Sequence, residues 1–447
     1  LNYLSVSEDY PASLRGGTEA FAHRLNLTLS NRGVDVCAAY YGAAGKQDET
    51  TEFEGVKCRP LVGELSKQNR LDKWAMVPLG LDSFTTLIER IKPAIVHFHG
   101  LSSKLSPDHI RVARDLGSKT VLTYHAPGQS CQRWDLLYDG QNVCDGKIQV
   151  TRCTACALRR LGVPASASHL FSSSDLSALA PFFPGPFGHV LERRQGTQRF
   201  ASRWAEATGL LDLVTYHSSW VRELLLRNSV SPEKTLLLPL PPPRNSAPVP
   251  KPDLWSHAKP TDKKVLYAGR LIDIKGVHIL LEALTKYLPK EKVSLLLIGA
   301  NGPADYQERI RSMVEKDPRI LLIPTQQEPT VMAAIAAADA VVVPSLWPET
   351  GPYAVLEALY MKKYIVGANR AGIAERLNGI NGGCLYDPHN ACELAEALQR
   401  ALSQERSGRQ NFSIQSYESS YESAVSKLIA AASSTGPSIG EADRLNG

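Results

Sequence analysis

The chain has 447 residues, 43% of them hydrophobic, with 50 Lys plus Arg against 45 Asp plus Glu, which is a globular composition long enough for two or three domains. No run of eighteen apolar residues marks a spanning helix, the first residues (LNYLSVSEDYPASLRGG) lack the pattern of a secretory signal, and eight cysteines in this length make no disulfide scaffold. The expected compartment is a reducing cytoplasm, with peripheral contact at the inner face of a membrane suggested by the charge pattern. The excess of positive charge lies in the first half, with 28 basic against 23 acidic residues in 1–250 and 22 against 22 afterwards. Its focus is 147–203, where eight Lys or Arg face only Asp175 and Glu192. Such a patch suits an anionic membrane surface or a phosphorylated lipid or glycan, and the modest global charge argues against nucleic acid.

Apolar strand-like runs alternate with helix-period segments along most of the chain, the pattern of parallel βαβ units and a doubly wound α/β fold. Strands are expected at 4–7, 34–41, 94–98, 120–125, 213–216 and 235–239, and helices at 18–30, 107–116 and 220–227. Eight prolines between Pro239 and Pro260 mark a linker, placed at 246–262, because proline withholds backbone donors and holds the chain extended. The alternation then restarts with strands at 265–268, 293–299, 319–324, 340–344 and 364–368. Helices at 392–402 and 413–432 follow, the second carrying Tyr417, Tyr421, Val425 and Ile429 at helical spacing. The domains expected are 1–245, with a Cys-rich insertion at 126–205, and 263–410, with a tail at 433–447.

In an open parallel sheet, ligands bind just beyond the carboxyl ends of the strands. Gly16-Gly17 there leads into a helix N-terminus, whose free N–H groups suit a diphosphate, although an ordinary strand-to-helix turn reads the same way. Arg270 follows a strand, and Lys275-Gly276 opens the next helix, so two cations five residues apart are able to converge on an anionic leaving group. A solvated charged loop is the plainer reading of the same residues. Downstream, Glu349-Thr350-Gly351-Pro352 precedes a helix in which Glu357 lies about a turn and a half along, with Pro352 at the first helical position. Two carboxylates flanking a helix N-terminus accept hydrogen bonds from paired hydroxyls, as in a sugar and a ribose, with phosphate at the positive helix end.

This set, Gly16-Gly17, Gly269-Arg270 with Lys275-Gly276, and Glu349 with Glu357, resembles the retaining nucleotide-sugar glycosyltransferases of family 4, which have the GT-B fold. The resemblance runs from about residue 1 to 432 and is most specific from 265 to 387. It implies two Rossmann-like domains facing a cleft, the acceptor on the first and the donor mainly on the second, with the helix at 413–432 returning to complete the first. By the same resemblance Arg270 and Lys275 bind the donor diphosphate, Glu357 the ribose and Glu349 the transferred sugar. Backbone groups at Thr350, Gly351 and Pro352 complete that pocket, and the Gly16-Gly17 loop approaches the phosphates. His125 corresponds to the family histidine beside the reacting sugar. The chain departs from one common form of the pattern at Gly351-Pro352, where a bulky residue and then glycine often stand. No catalytic metal is implied. The implied reaction is same-face attack by a hydroxyl of a glycan or lipid-linked saccharide, with the departing phosphate taking its proton. UDP, GDP and ADP donors are all open, as is the hexose. Two alternatives stand beside this reading: a sucrose- or trehalose-type synthase with a soluble acceptor, and a noncatalytic GT-B module that binds a nucleotide sugar or glycan.

Two features go beyond the family pattern. Cys131, Cys144, Cys153 and Cys156, spaced C-x12-C-x8-C-x2-C, form a set able to hold a structural zinc ion through four thiolates, with free thiols or disulfides as the other readings. Phe171, Phe182, Phe183 and Phe187 adjoin Arg193, Arg194, Arg199 and Arg203, a composition suited to an anionic bilayer or to packing within the domain. His97 and His99 share a strand face with no third ligand evident, and read as cleft or core histidines.

Overall fold

The structure is a computed structural model that describes residues 1–10, 16–41, 50–63, 80–102, 104–183, 185–244, 254–403 and 411–431. It divides into two compact units: Leu1–Pro241 together with the chain from Ser420, and Pro242–Ser419. Among the described residues no helix is long and apolar enough to cross a membrane.

The first unit is built on a sheet of β1 (Asn2–Ser7), β2 (Asp35–Tyr40), β3 (Thr51–Phe53), β4 (Val56–Pro60), β5 (Ile95–Phe98) and β6 (Lys119–Thr123), completed later in the chain. A separate short hairpin, β7 (Leu137–Tyr138) and β8 (Asn142–Val143), precedes β9 (Leu213–Tyr216) and β10 (Thr235–Leu237). The large sheet has the order β10-β9-β6-β5-β1-β2-β4-β3, and every pair is parallel except β3–β4. Central strands are buried throughout, so they read as continuous apolar runs, as a sheet covered on both faces requires. The order reverses between β1 and β5, which makes the carboxyl ends of those strands the natural ligand edge.

Three departures from the sequence reading concern this unit. The β3–β4 hairpin, half polar along its length, carries no strong apolar signal; its two-residue turn, Glu54-Gly55, has both residues at positive φ. His125 lies two residues beyond β6 rather than ending the strand. The segment expected to be an insertion is largely helical, with helices at Val150–Arg160, Ala165–Ser173 and Pro186–Leu210. The last of these is part of the unit's core, because Phe200, Trp204 and Ala207 are buried with Tyr124 and Val214. The final helix, Ile414–Ala430, brings Tyr421 to Thr28 (3.2 Å) and Glu422 to Arg32.

The second unit contains β11 (Lys263–Ala268), β12 (Val293–Ile298), β13 (Ile320–Ile323), β14 (Ala340–Val343), β15 (Tyr364–Ala368) and β16 (Gly383–Tyr386). Their order is β13-β12-β11-β14-β15-β16, all parallel, the doubly wound order of a dinucleotide-binding fold. The partly buried edge strand β16 was not among the expected strands. Part of the expected linker, 246–253, falls outside the described residues, as do residues 404–410 and the tail. Trp255, within the same proline-rich stretch, is already buried in the second unit's core, with the Lys264 ammonium 5.7 Å from its ring.

Candidate active site

At the switch point of the second unit, the loops after β11 and β14 are tied together. Gly276 sits at φ +68, and a Cβ there would lie 2.0 Å from the Pro344 carbonyl oxygen, so both its torsion and the close approach demand glycine. Leu346 N–H donates to Ile274 O at 2.8 Å beside it. The result places Lys275 against Glu349, Nζ to Oε1 at 2.6 Å. Ser345 Oγ (2.7 Å) and Trp347 Nε1 (2.9 Å) donate to the same carboxylate oxygen, and Lys275 Nζ lies 5.1 Å from the Trp347 ring centre. Burial alone pushes the Glu349 carboxyl up, but the Lys275 charge and the three donors outweigh it and leave Glu349 below its usual range. Ser345 and Trp347 were not singled out from sequence; their place in the Pro344–Glu349 loop is the signal that marks them.

Glu349 is further held through its carbonyl, which accepts from Gly372 N–H at 3.1 Å. Thr350 and Pro352 are buried, and Gly351 is half-buried. The following helix is Tyr353–Tyr360, so Pro352 caps it from extended backbone rather than occupying its first turn. Glu357 lies in the second turn, half-buried. Arg270 is exposed at the end of β11, its carbonyl accepting from Tyr267 OH at 2.8 Å. The structure therefore brings Lys275 and Glu349 into direct contact, with Arg270 on the first of these connections and Glu357 in the helix that follows the second.

In the first unit, Gly16 caps the helix Gly17–Asn31 from extended backbone, while residues 11–15 of that loop lie outside the described residues. The carboxyl ends of β5, β6 and β9 carry a histidine cluster. His99 Nδ1 and His125 Nε2 are 3.2 Å apart, His125 Nδ1 and His217 Nε2 are 3.2 Å apart, and His217 Nδ1 is 2.8 Å from Leu238 O. Phe21 packs on two of the rings, with centroids 4.8 Å from His125 and 4.6 Å from His217. A second layer runs from Tyr3 to His97, then to Thr123 (2.6 Å) and Thr215 (2.7 Å). Burial, reinforced by the neighbouring rings, pulls His97 and His125 well below the usual imidazole value and His99 to about 3. His217 was missed from sequence, yet a signal exists: Thr123-Tyr124-His125 recurs as Thr215-Tyr216-His217, and Thr123 pairs with Thr215 across β6 and β9.

The expected zinc centre is not assembled. Cys131, Cys144, Cys153 and Cys156 line one pocket, but among the described residues no three His, Cys, Asp or Glu side chains are placed to hold one ion. Each of three thiols faces another group: Cys144 faces Asp145 (3.8 Å), Cys156 faces Leu137 O (4.0 Å), and Cys153 accepts from Gln149 N–H (3.5 Å). Burial raises all four thiols above their ordinary value. All eight cysteines are free. Polar bonds secure the loop instead: Tyr124 OH to Ser130 Oγ (2.6 Å), and the Asn228 side chain to Ile148 N (2.8 Å) and Gly146 O (2.8 Å).

The arginine patch is also largely committed within the fold. Arg152 pairs with Asp145, Arg159 with Asp139, and Arg203 with Asp108 and Glu206, while Arg194 donates to Ser172 O. Arg193 is buried deeply enough that its guanidinium falls to about 10. The apolar residues are different: Phe182 is 77% exposed and Leu170 67%, with Leu161, Phe183 and Phe187 exposed near them in sequence.

The chain also matches known families and proteins. Residues 15–172 match the family described as Glycosyltransferase Family 4, and residues 262–404 match Glycosyl transferases group 1. An uncharacterized glycosyltransferase of Methanocaldococcus jannaschii is 28% identical over 143 residues, 32% of this chain and 36% of that protein. The alpha-D-kanosaminyltransferase of Streptomyces kanamyceticus is 26% identical over 140 residues, 31% of this chain and 36% of that protein. The matched stretch thus spans about a third of the length of these curated relatives. Among solved structures, the sucrose-phosphate synthase of Thermosynechococcus elongatus superposes with a TM-score of 0.60 at 17% identity, covering 97% of this chain and 96% of its own. Anabaena HepE in complex with UDP-glucose gives 0.57 at 14% identity, covering 96% and 99%. These likenesses are of fold, and with the two family matches they establish that the chain belongs to the family-4-like glycosyltransferases of GT-B fold.

Proposed function

We propose that the chain is a retaining hexosyltransferase, moving a hexose from a nucleotide diphosphate-sugar to a hydroxyl of a glycan or lipid-linked saccharide. The observation that carries this reading is the Lys275–Glu349 pair at the switch point of the second unit. Lys275 has three N–H bonds and gives one to Glu349, leaving donors for phosphate oxygens. Glu349, kept ionised by its donors, is an acceptor for sugar hydroxyls. Arg270 adds a second cation for the diphosphate, Glu357 takes the ribose hydroxyls, and backbone at Thr350, Gly351 and Pro352 lines the sugar. In the first unit, His125 serves the transferred sugar and Gly16-Gly17 the phosphates, as the family resemblance assigns them.

In the reaction, the bond from the anomeric carbon to the diphosphate oxygen breaks and its electron pair stays on phosphate. The acceptor oxygen bonds to the anomeric carbon on the same face, and its proton passes to the departing phosphate. Negative charge grows on phosphate as the bond lengthens, so fixed cations stabilise the transition state more than the bound donor. The base and hexose are left to experiment, since HepE was solved with UDP-glucose while a starch synthase of the same fold was solved with ADP.

Exposed Phe182 and Leu170 favour a lipid-linked over a freely soluble acceptor, because an apolar surface of this kind suits the headgroup boundary of a bilayer. A proton NMR time course over a panel of UDP-, GDP- and ADP-sugars tests the reading. Turnover of one α-linked donor with the α-anomer appearing first is the expected result. Early β-anomer would refute retention, and a chain that neither binds nor turns over any donor would leave the noncatalytic module as the better reading.

A further inference from the structure

The histidine cluster of the first unit has a direction, set at one end by the backbone. Leu238 O is able only to accept, so the proton between it and His217 belongs to His217 Nδ1. In the uncharged ring, His217 Nε2 is then an acceptor, and His125 Nδ1, 3.2 Å away, is the donor. The same step repeats: His125 Nε2 becomes an acceptor, and His99 Nδ1, 3.2 Å away, donates to it. His99 Nε2 ends the chain as a buried nitrogen with no hydrogen-bond partner, consistent with a bare lone pair rather than an N–H.

We propose that His217 and His99 are positioning residues for His125: His217, anchored on the Leu238 carbonyl, holds His125 as its Nδ1–H tautomer, and His99 donates to the Nε2 lone pair that this leaves. The partner of one imidazole nitrogen decides the state of the other, so a single backbone carbonyl orders three rings. Burial opposes protonation of His99 and His125 alike, so these two rings stay uncharged. The inference rests on the reading of His125 as the imidazole beside the transferred sugar. There, an uncharged ring does not oppose the positive charge that develops on the sugar as the bond to phosphate breaks. It also leaves the phosphate as the group that takes the acceptor proton.

Nitrogen-15 NMR of the full-length chain labelled at histidine reads the tautomer of His125 directly and needs no substrate. The expected spectrum shows His125 protonated at Nδ1 and bare at Nε2. His217→Leu removes the acceptor, so His125 loses its single tautomer; His217→Gln, whose amide oxygen is able to accept at the same place, restores it. His99→Phe shifts the Nε2 resonance and leaves Nδ1–H in place. In turnover, His217→Leu lowers kcat about tenfold, the loss of roughly one aligned hydrogen bond, with KM little changed, and His217→Gln recovers most of it. Finding His125 as the Nε2–H tautomer in the unaltered chain, or unmoved in His217→Leu, would overturn the proposal even if sugar transfer is demonstrated. If no donor turns over while the tautomers are as described, the glycosyltransfer reading fails and the ordered chain of rings stands.

Discussion

The two switch points solve the same architectural problem with opposite electrostatics. After β11 and β14, a carboxylate is buried as an anion, because Lys275, Ser345 and Trp347 all donate to it. At the carboxyl ends of β5, β6 and β9, four imidazoles cluster with hydroxyls, a backbone carbonyl and Phe21 as their observed partners, and burial keeps His97, His99 and His125 uncharged. The lesson is that burial alone does not set the charge of a ligand edge. Directed donors decide whether desolvation is outweighed, and these donors lie in the strand-to-helix loops rather than in the sheets.

The largest effect should come from breaking the charged side. Lys275→Ala removes the cation that balances Glu349 and that the proposed function sets against the leaving phosphate; on that reading transfer should fall at least about a hundredfold, worth roughly 3 kcal/mol of barrier. Circular dichroism should show the fold retained, and near-normal turnover would remove the diphosphate assignment. Gly276→Ala comes next. Its positive φ and the 2.0 Å approach to Pro344 O should cost about 2–3 kcal/mol of stability, read as a lower unfolding midpoint in urea, and should part Lys275 from Glu349.

Acid should separate the two sides without mutation. Histidines with lowered values bind protons first in the unfolded chain, so stability falls as pH drops below about 6.5, by up to about 1.4 kcal/mol per pH unit for each of the buried rings His97 and His99. The depressed Glu349 works in a lower window, since its contribution is intact above about pH 4.3 and is lost only below it. Hydrogen exchange at pH 5.5 against 7.5 should therefore show the β5, β6 and β9 region opening more readily while the β11–β14 region holds. Equal loosening of both would contradict the contrast.

Smaller effects sharpen the account of the helical insertion. Phe182→Ser should change stability by less than about 0.5 kcal/mol, because the ring is exposed, while lowering co-sedimentation with anionic vesicles several-fold. Smallest of all, prolonged chelation should leave the unfolding midpoint unchanged, because polar bonds from Tyr124 and Asn228 hold the cysteine loop; a marked drop would revive a metal.

What the sequence showed, it showed through burial. Strands such as Val293–Ile298, buried at every position, stand out as apolar runs, and their alternation with helices was enough to identify a doubly wound fold. The motif residues Lys275-Gly276 and Glu349 were equally legible as a set, and the structure brings them together at one strand edge. The half-polar hairpin at Thr51–Pro60 was not, because a short partly exposed strand differs little from a loop. The four cysteines were legible only as candidate ligands, with free thiols as another reading, because spacing along the chain does not say which groups their sulfurs face.

By itself, then, the sequence determined the alternation of the buried strands with helices and the residue types at the strand ends, because these follow from local hydrophobic period and from chemistry. Only the tertiary structure decided that Glu349 is neutralised by a lysine 74 residues away, and that His217 and His125, 92 residues apart, share a hydrogen bond. Both pairings arise from the register of neighbouring parallel strands or from a close backbone approach. Such contacts depend on which strands become neighbours, and that choice is made by the packing of the whole sheet rather than by any one segment.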